Sequence, residues 1–211
     1  LTLPPHITAA TAMDAMTHAT EAFTCMAKNP LSDAYATAAI KKISDSLLNV
    51  MDNPKDSDGR LELAQASTMA GIAFSNSMVG LVHALGHATG AICHLPHGLC
   101  MSLYLPYVLE YNLETIRDPL GELLLYLEGP EVFAATPASR RAEASISAIR
   151  KLRDALYKRC QLPRTLKETG KVTEDQLDHI AEMALDDGSI MFNPKEVTLD
   201  DARAVLRRAW A

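Results

Sequence analysis

The spacing of apolar and polar positions along the chain predicts helices almost throughout. Residues 9–26 are rich in good helix formers and contain neither glycine nor proline. Ser32 is the candidate N-cap of a second helix. No segment shows the strict alternation that is typical of a half-buried strand. The sequence therefore predicts an all-α, helical bundle-like domain that spans residues 1–211. The second helix repeats apolar residues at helical spacing, at Ala36, Ala39, Ile40, Ile43 and Leu47.

A long apolar segment, residues 60–92, occupies the middle of the chain. It is apolar on nearly every side, which predicts one buried helix or two helices broken near Gly80. Pro96 disfavours helical geometry at Leu95, so this helix should end near His94 and another should follow Pro96. We expect the interior of this segment to be the least solvated part of the protein.

Capping residues predict where later helices begin. Thr136 is a candidate N-cap with Pro137 at the first helical position. Thr173 and Gln176 have the spacing of a capping box, and Thr198 repeats the pattern. The acidic stretch between them, residues 184–201, lacks the ligand spacing of a calcium loop, and we predict a helix end followed by a loop.

Composition narrows the class of protein. The 211 residues carry a net charge of -6 and are 48% apolar, as in a globular protein with a substantial core. The absence of a basic patch argues against nucleic acid as a partner. Four cysteines without a CxxC pair favour a reducing, cytoplasmic location, and no apolar run is long enough to cross a membrane. Pro4 and Pro5 predict an interdomain linker over residues 1–6, as in a fragment of a longer protein.

The first candidate for chemistry is Asp14 with His18. Residues four apart lie on one face of a helix, with Cβ atoms roughly 5–6 Å apart. This spacing suits a carboxylate and an imidazole that share a divalent cation. An ordinary surface pair is the alternative, but the apolar neighbours Met13 and Met16 indicate burial, and a buried carboxylate needs a partner.

The second candidate is the histidine-rich stretch of residues 80–98. His83 and His87 are four apart on the most apolar helix, so we expect both rings to point into the core. A zinc-peptidase motif is excluded because Ala84 stands where that motif requires glutamate. We expect His97 on a turn that faces the same pocket. With no acidic residue in the stretch to bind them, two or three histidines in one dry region predict a shared cation.

The remaining candidates have simpler interpretations. His94, at the predicted helix end, is expected to line the pocket or support it rather than bind metal. His6 and His179 are expected to be solvated. Cys93 and Cys100 lack ligand spacing and are expected to be small core residues. One carboxylate with several imidazoles suits Fe(II) or Zn(II), and the residue types do not choose between them.

Three strings carry a resemblance to a known family: "MDAMTHATEAF", "GIAFSNSMVGLVHALGHATGAICHLPHG" and "NPKEVTLDDARAVL". They resemble the iron-containing (group III) alcohol dehydrogenases, and the chain corresponds to the all-helical C-terminal domain of that family from about Pro4 onward. Two departures, Ala12 for a usual glycine and Ala88-Thr89 for a frequent Pro-Leu, bear on the shape of the substrate pocket. The resemblance implies four metal ligands: Asp14, His18, His83 and His97.

The resemblance also implies the chemistry. His87 would lie between the metal and the nicotinamide as a catalytic, cofactor-facing residue that does not bind the metal. Fe(2+), with Zn(2+) as the alternative, would polarise a small alcohol or aldehyde for hydride transfer to or from NAD or NADP. The family's N-terminal nucleotide-binding domain is expected to precede this chain. The isolated chain is therefore expected to show little turnover, and a homo-oligomer is left open.

Other classes compete with this interpretation. A non-catalytic metal-binding or interaction module derived from a dehydrogenase would need no nucleotide half. A zinc-dependent glycerol dehydrogenase-like enzyme would keep fewer histidine ligands. A helical HD-type phosphohydrolase requires adjacent His-Asp, whereas the chain has Asp178 before His179. A non-haem Fe(II) oxygenase is disfavoured because no β scaffold is predicted.

Overall fold

A computed structural model describes residues 2–211, and that part of the chain is helical without a strand. The all-α prediction is confirmed. None of the described helices has both the length and the apolarity needed to span a bilayer. The helices are α1 (Pro5–Thr24), α2 (Pro30–Asp52), α3 (Ser57–Ser75), α4 (Leu81–Cys93), α5 (His97–Glu122), α6 (Leu124–Glu128), α7 (Pro130–Ala135), α8 (Arg141–Cys160), α9 (Leu177–Leu185) and α10 (Leu199–Trp210).

The first helix begins earlier than the sequence predicted. Pro4 is the N-cap of α1 and Pro5 its first residue, so the predicted linker over residues 1–6 overlaps the helix. Proline suits this position because its φ is already helical and its missing N–H would have no partner. His6 therefore lies on a helix, although it is exposed as expected. Leu1, also in the predicted linker, lies outside the described residues.

Asn29, not Ser32, is the N-cap of α2. The Asn29 side chain accepts the backbone N–H groups of Leu31 and Ser32, both at 3.1 Å. The Ser32 hydroxyl in turn accepts the N–H of Asn29 at 3.1 Å, which closes a capping box. Pro30 at the first helical position was the available signal, since proline there places the cap one residue earlier.

The long apolar segment forms two helices, with a break at residues 76–80. α4 is largely buried, but α3 buries only its small residues and leaves Leu61 56% exposed. The expectation of one dry segment is therefore correct for α4 and wrong for α3. α4 ends at Cys93, as predicted, because His94 adopts a left-handed backbone conformation with φ of 54°.

The three predicted helix starts in the C-terminal half have different outcomes. Thr198 caps α10, as predicted. Thr173 forms the predicted capping box with Gln176, but the turn that it caps is a 3-10 turn (Glu174–Gln176), and α9 begins at Leu177. The start at Thr136 is wrong, because Pro137 caps a short 3-10 turn and the α-helical part begins at Arg141. The restricted φ of proline is equally compatible with both kinds of turn.

α1 lies at the centre of the fold. It packs against α2, α3 and α5, and α4 packs against α5 and α9. Close packing is possible because α1 presents buried alanines and methionines, while its buried threonine hydroxyls bond to carbonyls one turn earlier. This arrangement brings the middle of α1, the start of α4 and the start of α5 together.

Candidate metal centre

The four residues implied as metal ligands by the resemblance lie together. Each offers one nitrogen or oxygen atom, and these atoms lie within 4.8 Å of one another. His97 Nε2 lies 3.2 Å from Asp14 Oδ1, and His18 Nδ1 lies 3.7 Å from the same oxygen. Residues from three helices thus converge on one point. The cluster consists of Asp14, His18, His83 and His97.

These side chains are positioned by their places on the helices and by the close approach of α5 to α1. Asp14 and His18 are one turn apart on α1, whereas His83 lies in the first turn of α4 and His97 is the first residue of α5. The expectation that His97 lies on a turn is thus corrected to a helix start. Gly98 allows α5 to approach α1, because a Cβ atom there would lie 2.5 Å from the carbonyl oxygen of Ala10.

The three imidazole rings of the cluster lie close together and are tilted relative to one another. The ring centroids of His18 and His83 are 4.5 Å apart, and those of His83 and His97 are 5.5 Å apart. Phe74 stacks on the other side of His18 at 4.4 Å. His83 is the deepest member, at 2% exposure. One side of the cluster is therefore closed by protein.

Burial and mutual contacts shift the titration of the cluster. Burial, with a contribution from His83, lowers the pKa of His18 to about 4. Burial alone would raise the pKa of Asp14, but the close approach of His97 and the neighbouring imidazoles bring it below its usual value. The same approach of the Asp14 carboxylate raises the pKa of His97. His18 is therefore neutral at physiological pH, as a metal ligand must be.

Two buried polar atoms of the cluster have no hydrogen-bond partner among the described residues. They are His83 Nε2 and Asp14 Oδ1. Leaving a buried acceptor unsatisfied costs about 1–3 kcal/mol, so such atoms need an explanation. A divalent cation between the helices would satisfy both, and a donor set of one carboxylate and three imidazoles suits Fe(II) or Zn(II). The residues present fit a metal ion.

Glu21 contacts His83 of the cluster, and the sequence did not predict this contact. Its Oε2 lies 2.5 Å from His83 Nδ1, and its Oε1 accepts the backbone N–H of Val82 at 2.8 Å. The signal was present, because Glu21 follows His18 by three residues and so lies on the same face of α1. Residues 80–98 contain no acidic side chain, and the partner of His83 lies instead on α1.

His87 lies beside the cluster at its open side. Its side chain is 44% exposed, so the expectation that it points into the core is wrong. Its ring stacks on that of His97 with centroids 5.3 Å apart, and its Nδ1 lies 2.8 Å from Asp187 Oδ2. Asp187 follows α9 and caps a 3-10 turn (Gly188–Phe192), where its side chain also accepts the backbone N–H of Ser189. The sequence predicted only a loop there.

The other predicted residues stay outside the cluster. His94 is the exposed C-cap of α4, which gives it a backbone role at the helix end. His179 is 64% exposed, as expected for a solvated residue. Cys93 and Cys100 are buried core residues, and burial raises the pKa of the Cys100 thiol to about 12. A thiol with so high a pKa is a poor ligand.

Nearly the whole chain matches a known family. Residues 8–210 match the sequence model of the Fe-containing alcohol dehydrogenase family, C-terminal. The chain belongs to this family and forms its all-helical C-terminal domain, as the resemblance implied. It is 37% identical over 210 residues to alcohol dehydrogenase 4 of Saccharomyces cerevisiae, covering 99% of this chain and 52% of the relative.

Further relatives support this family assignment. The NADPH-dependent butanol dehydrogenase of Clostridium saccharobutylicum is 32% identical, with 97% of this chain and 51% of the relative covered. The crystal structure of a 1,3-propanediol oxidoreductase superposes with a TM-score of 0.92 at 33% identity, over 99% of this chain and 53% of that chain. The chain thus spans about half the length of the relatives it matches.

Proposed function

We propose that this chain is the metal- and substrate-binding domain of an NAD(P)-dependent alcohol dehydrogenase or aldehyde reductase. The single observation that carries the proposal is the convergence of one carboxylate and three imidazoles from three helices, with donor atoms within 4.8 Å of one another. Membership of the alcohol dehydrogenase family supplies the reaction class. In this proposal Fe(2+), or Zn(2+), is held by Asp14, His18, His83 and His97.

The donor atoms of the cluster are suited to bind a cation even in the metal-free chain. The depressed pKa of His18 keeps that imidazole neutral, and the orphaned His83 Nε2 and Asp14 Oδ1 are already desolvated. A bound divalent cation supplies Lewis acidity, which lowers the pKa of an alcohol oxygen or polarises a carbonyl. The helices hold the donors, so binding requires little rearrangement.

In this proposal His87 transfers the proton released by the alcohol and orients the cofactor. A proton on Nδ1, bonded to Asp187, leaves Nε2 as an acceptor beside the cluster. Its partial exposure gives a path from the substrate oxygen to solvent, so the imidazole can pass on the proton that an alcohol loses during oxidation. Stacking on His97 fixes the distance of this ring from the cluster.

The nucleotide site is proposed to lie in the other half of the enzyme. Residues 2–211 contain no strand and hence no strand–glycine-rich loop–helix unit for a dinucleotide. NAD or NADP would then be held by an N-terminal domain and presented to the open side of the cluster. The substrate would be a small alcohol or aldehyde.

The proposed location is the cytoplasm. Four free cysteines, three of them buried, are compatible with its reducing conditions.

The test is an anaerobic metal analysis of the purified chain, with anomalous scattering to locate the ion. We expect one ion per chain on the four donors, and its absorption edge distinguishes iron from zinc. Zinc on fewer histidines would favour a glycerol dehydrogenase-like site. A folded chain that binds neither metal would contradict the proposal and favour a non-catalytic module.

A further inference from the structure

Glu21 makes two contacts with the start of α4. One carboxylate oxygen lies 2.5 Å from His83 Nδ1, and the other accepts the N–H of Val82 at 2.8 Å. The side chains of Glu21 and His83 are 6% and 3% exposed, so both contacts are shielded from water. We propose that Glu21 is a positioning residue that holds His83 in the tautomer whose Nε2 accepts a divalent cation. This inference rests on the proposed metal site.

The tautomer follows from what each group can donate. A carboxylate has no proton to give and only accepts hydrogen bonds, whereas a neutral imidazole has one N–H and one bare nitrogen. The short contact therefore requires the proton on Nδ1. Nε2 is then bare, and it is the buried nitrogen that has no partner among the described residues. A carboxylate behind a histidine also makes the imidazole a stronger ligand.

The same carboxylate fixes where the ring lies. Gly80 offers no side chain to cap α4, so the first free N–H groups of the helix need partners from elsewhere. Glu21 accepts the N–H of Val82, and Asn193 accepts that of Leu81 at 3.3 Å. A negative charge at a helix N-terminus is also favoured by the helix dipole. Glu21 thus ties α1 to the turn of α4 that carries His83.

An isosteric variant separates the two contacts. In Glu21→Gln the amide has one accepting oxygen and one donating nitrogen. If the oxygen keeps the N–H of Val82, the NH₂ group faces His83 Nδ1 and forces the proton onto Nε2. If the amide is flipped, its NH₂ group faces the backbone N–H of Val82, and the two donors cannot bond to each other. Glutamine therefore cannot make both contacts and also leave His83 Nε2 bare, although its size is nearly that of glutamate.

The experiment titrates the purified chain anaerobically with Fe(2+) and, separately, with Zn(2+). Glu21→Gln is expected to weaken metal binding about 10- to 100-fold, as removal of such partners does elsewhere. Glu21→Asp, which restores a carboxylate one methylene further back, should recover part of this loss. Asn193→Ala is the matched control, because it removes a cap from the same helix turn without touching His83. We expect that variant to lose stability and keep its metal affinity.

A second measurement needs no variant and no metal. Nitrogen-15 NMR of the histidine rings in the metal-free chain reports which nitrogen of His83 carries the proton. A proton on Nδ1 supports the inference, and a proton on Nε2 overturns it. Unchanged metal affinity in folded Glu21→Gln would overturn it as well. Failure of the wild-type chain to bind metal would refute the proposed function, while the NMR result would still decide the role of Glu21.

Discussion

Asp187 Oδ2 lies 2.8 Å from His87 Nδ1, although the two residues are 100 positions apart in the chain. This contact joins α4 to the turn that follows α9. It resembles the buried contact between Glu21 and His83, because in both a carboxylate faces the Nδ1 of a histidine. The contact of Asp187, however, lies on the exposed side of the cluster. Two histidines one helical turn apart are therefore oriented by two carboxylates from different parts of the fold.

Replacing Asp187 tests this contact in the chain itself. Asp187→Asn keeps an acceptor for the N–H of Ser189 but removes the charge that faces His87. Because the site is partly exposed, we expect the free energy of unfolding to change by less than about 1 kcal/mol. Asp187→Ala also removes the cap and should cost about 1 kcal/mol more. Urea unfolding measures both, and equal stabilities for the two variants would contradict the capping role.

Removing Asp14 should abolish metal retention. Asp14→Ala takes away the only carboxylate among the four clustered donors, and we expect metal affinity to fall by more than about 100-fold. Elemental analysis after dialysis measures the loss. Asp45→Ala is the matched control, since Asp45 pairs with Lys41 on an exposed face of α2. Full metal occupancy in Asp14→Ala would refute the ligand assignment.

The approach of α5 to α1 depends on Gly98. In Gly98→Ala the new methyl group would meet the backbone of Ala10 at 2.5 Å, and a backbone cannot move aside cheaply. We expect a loss of about 1–3 kcal/mol in unfolding free energy, together with weaker metal binding through displaced His97. In Gly71→Ala the methyl group meets nothing within 4 Å inside α3, so that control should gain about 0.5–1 kcal/mol. Similar effects of both changes would contradict the packing argument.

The metal-free chain should lose stability on mild acidification because of His18. Its pKa is about 4 in the folded chain, against an ordinary value of 6.5 for histidine, so the unfolded chain binds the proton first. Stability is then full above about pH 6.5 and falls as the pH is lowered through 4, by up to on the order of 3 kcal/mol. The groups that face His18 are Asp14, Glu21, His83 and His97.

Urea unfolding at several pH values measures this effect. His18→Gln should flatten the decline between pH 6.5 and 4, while His179→Gln, at an exposed position, should leave it unchanged. The raised pKa of His97 acts in the opposite sense, because its contribution is present at low pH and is lost as the pH rises through the folded value. A decline of the same size in His18→Gln would exclude His18 as its cause.

The isolated chain should turn over little or no substrate. The described residues hold no dinucleotide-binding unit, so NADH and NADPH would lack most of their contacts. Spectrophotometric assay of the metal-loaded chain with a short aldehyde and either cofactor measures this. Robust aldehyde reduction would show that the nucleotide site lies within these 211 residues.

Sequence patterns predicted the helical class, and the family resemblance implied which chain positions meet, but neither identified every partner. Periodicity and the break at Gly80 follow from local preferences, which the sequence displays directly. The contacts of Glu21 with His83 and of Asp187 with His87 depend on how separate helices pack. This packing cannot be predicted from the local sequence of any one helix. Exposure of His87 was missed for the same reason, because an apolar helix does not reveal which of its faces lacks a neighbour.

The cluster of Asp14, His18, His83 and His97 is closed on the Glu21 side and open on the side of His87 and His97, whose side chains are 44% and 43% exposed. Access is therefore one-directional. If the cluster binds metal as proposed, substrate, cofactor, chelator and oxygen would all reach the ion from this side, so whatever covers it would govern both the rate of metal loss and the rate of substrate entry. Protection of the ion and admission of the substrate would then be a single property of one surface.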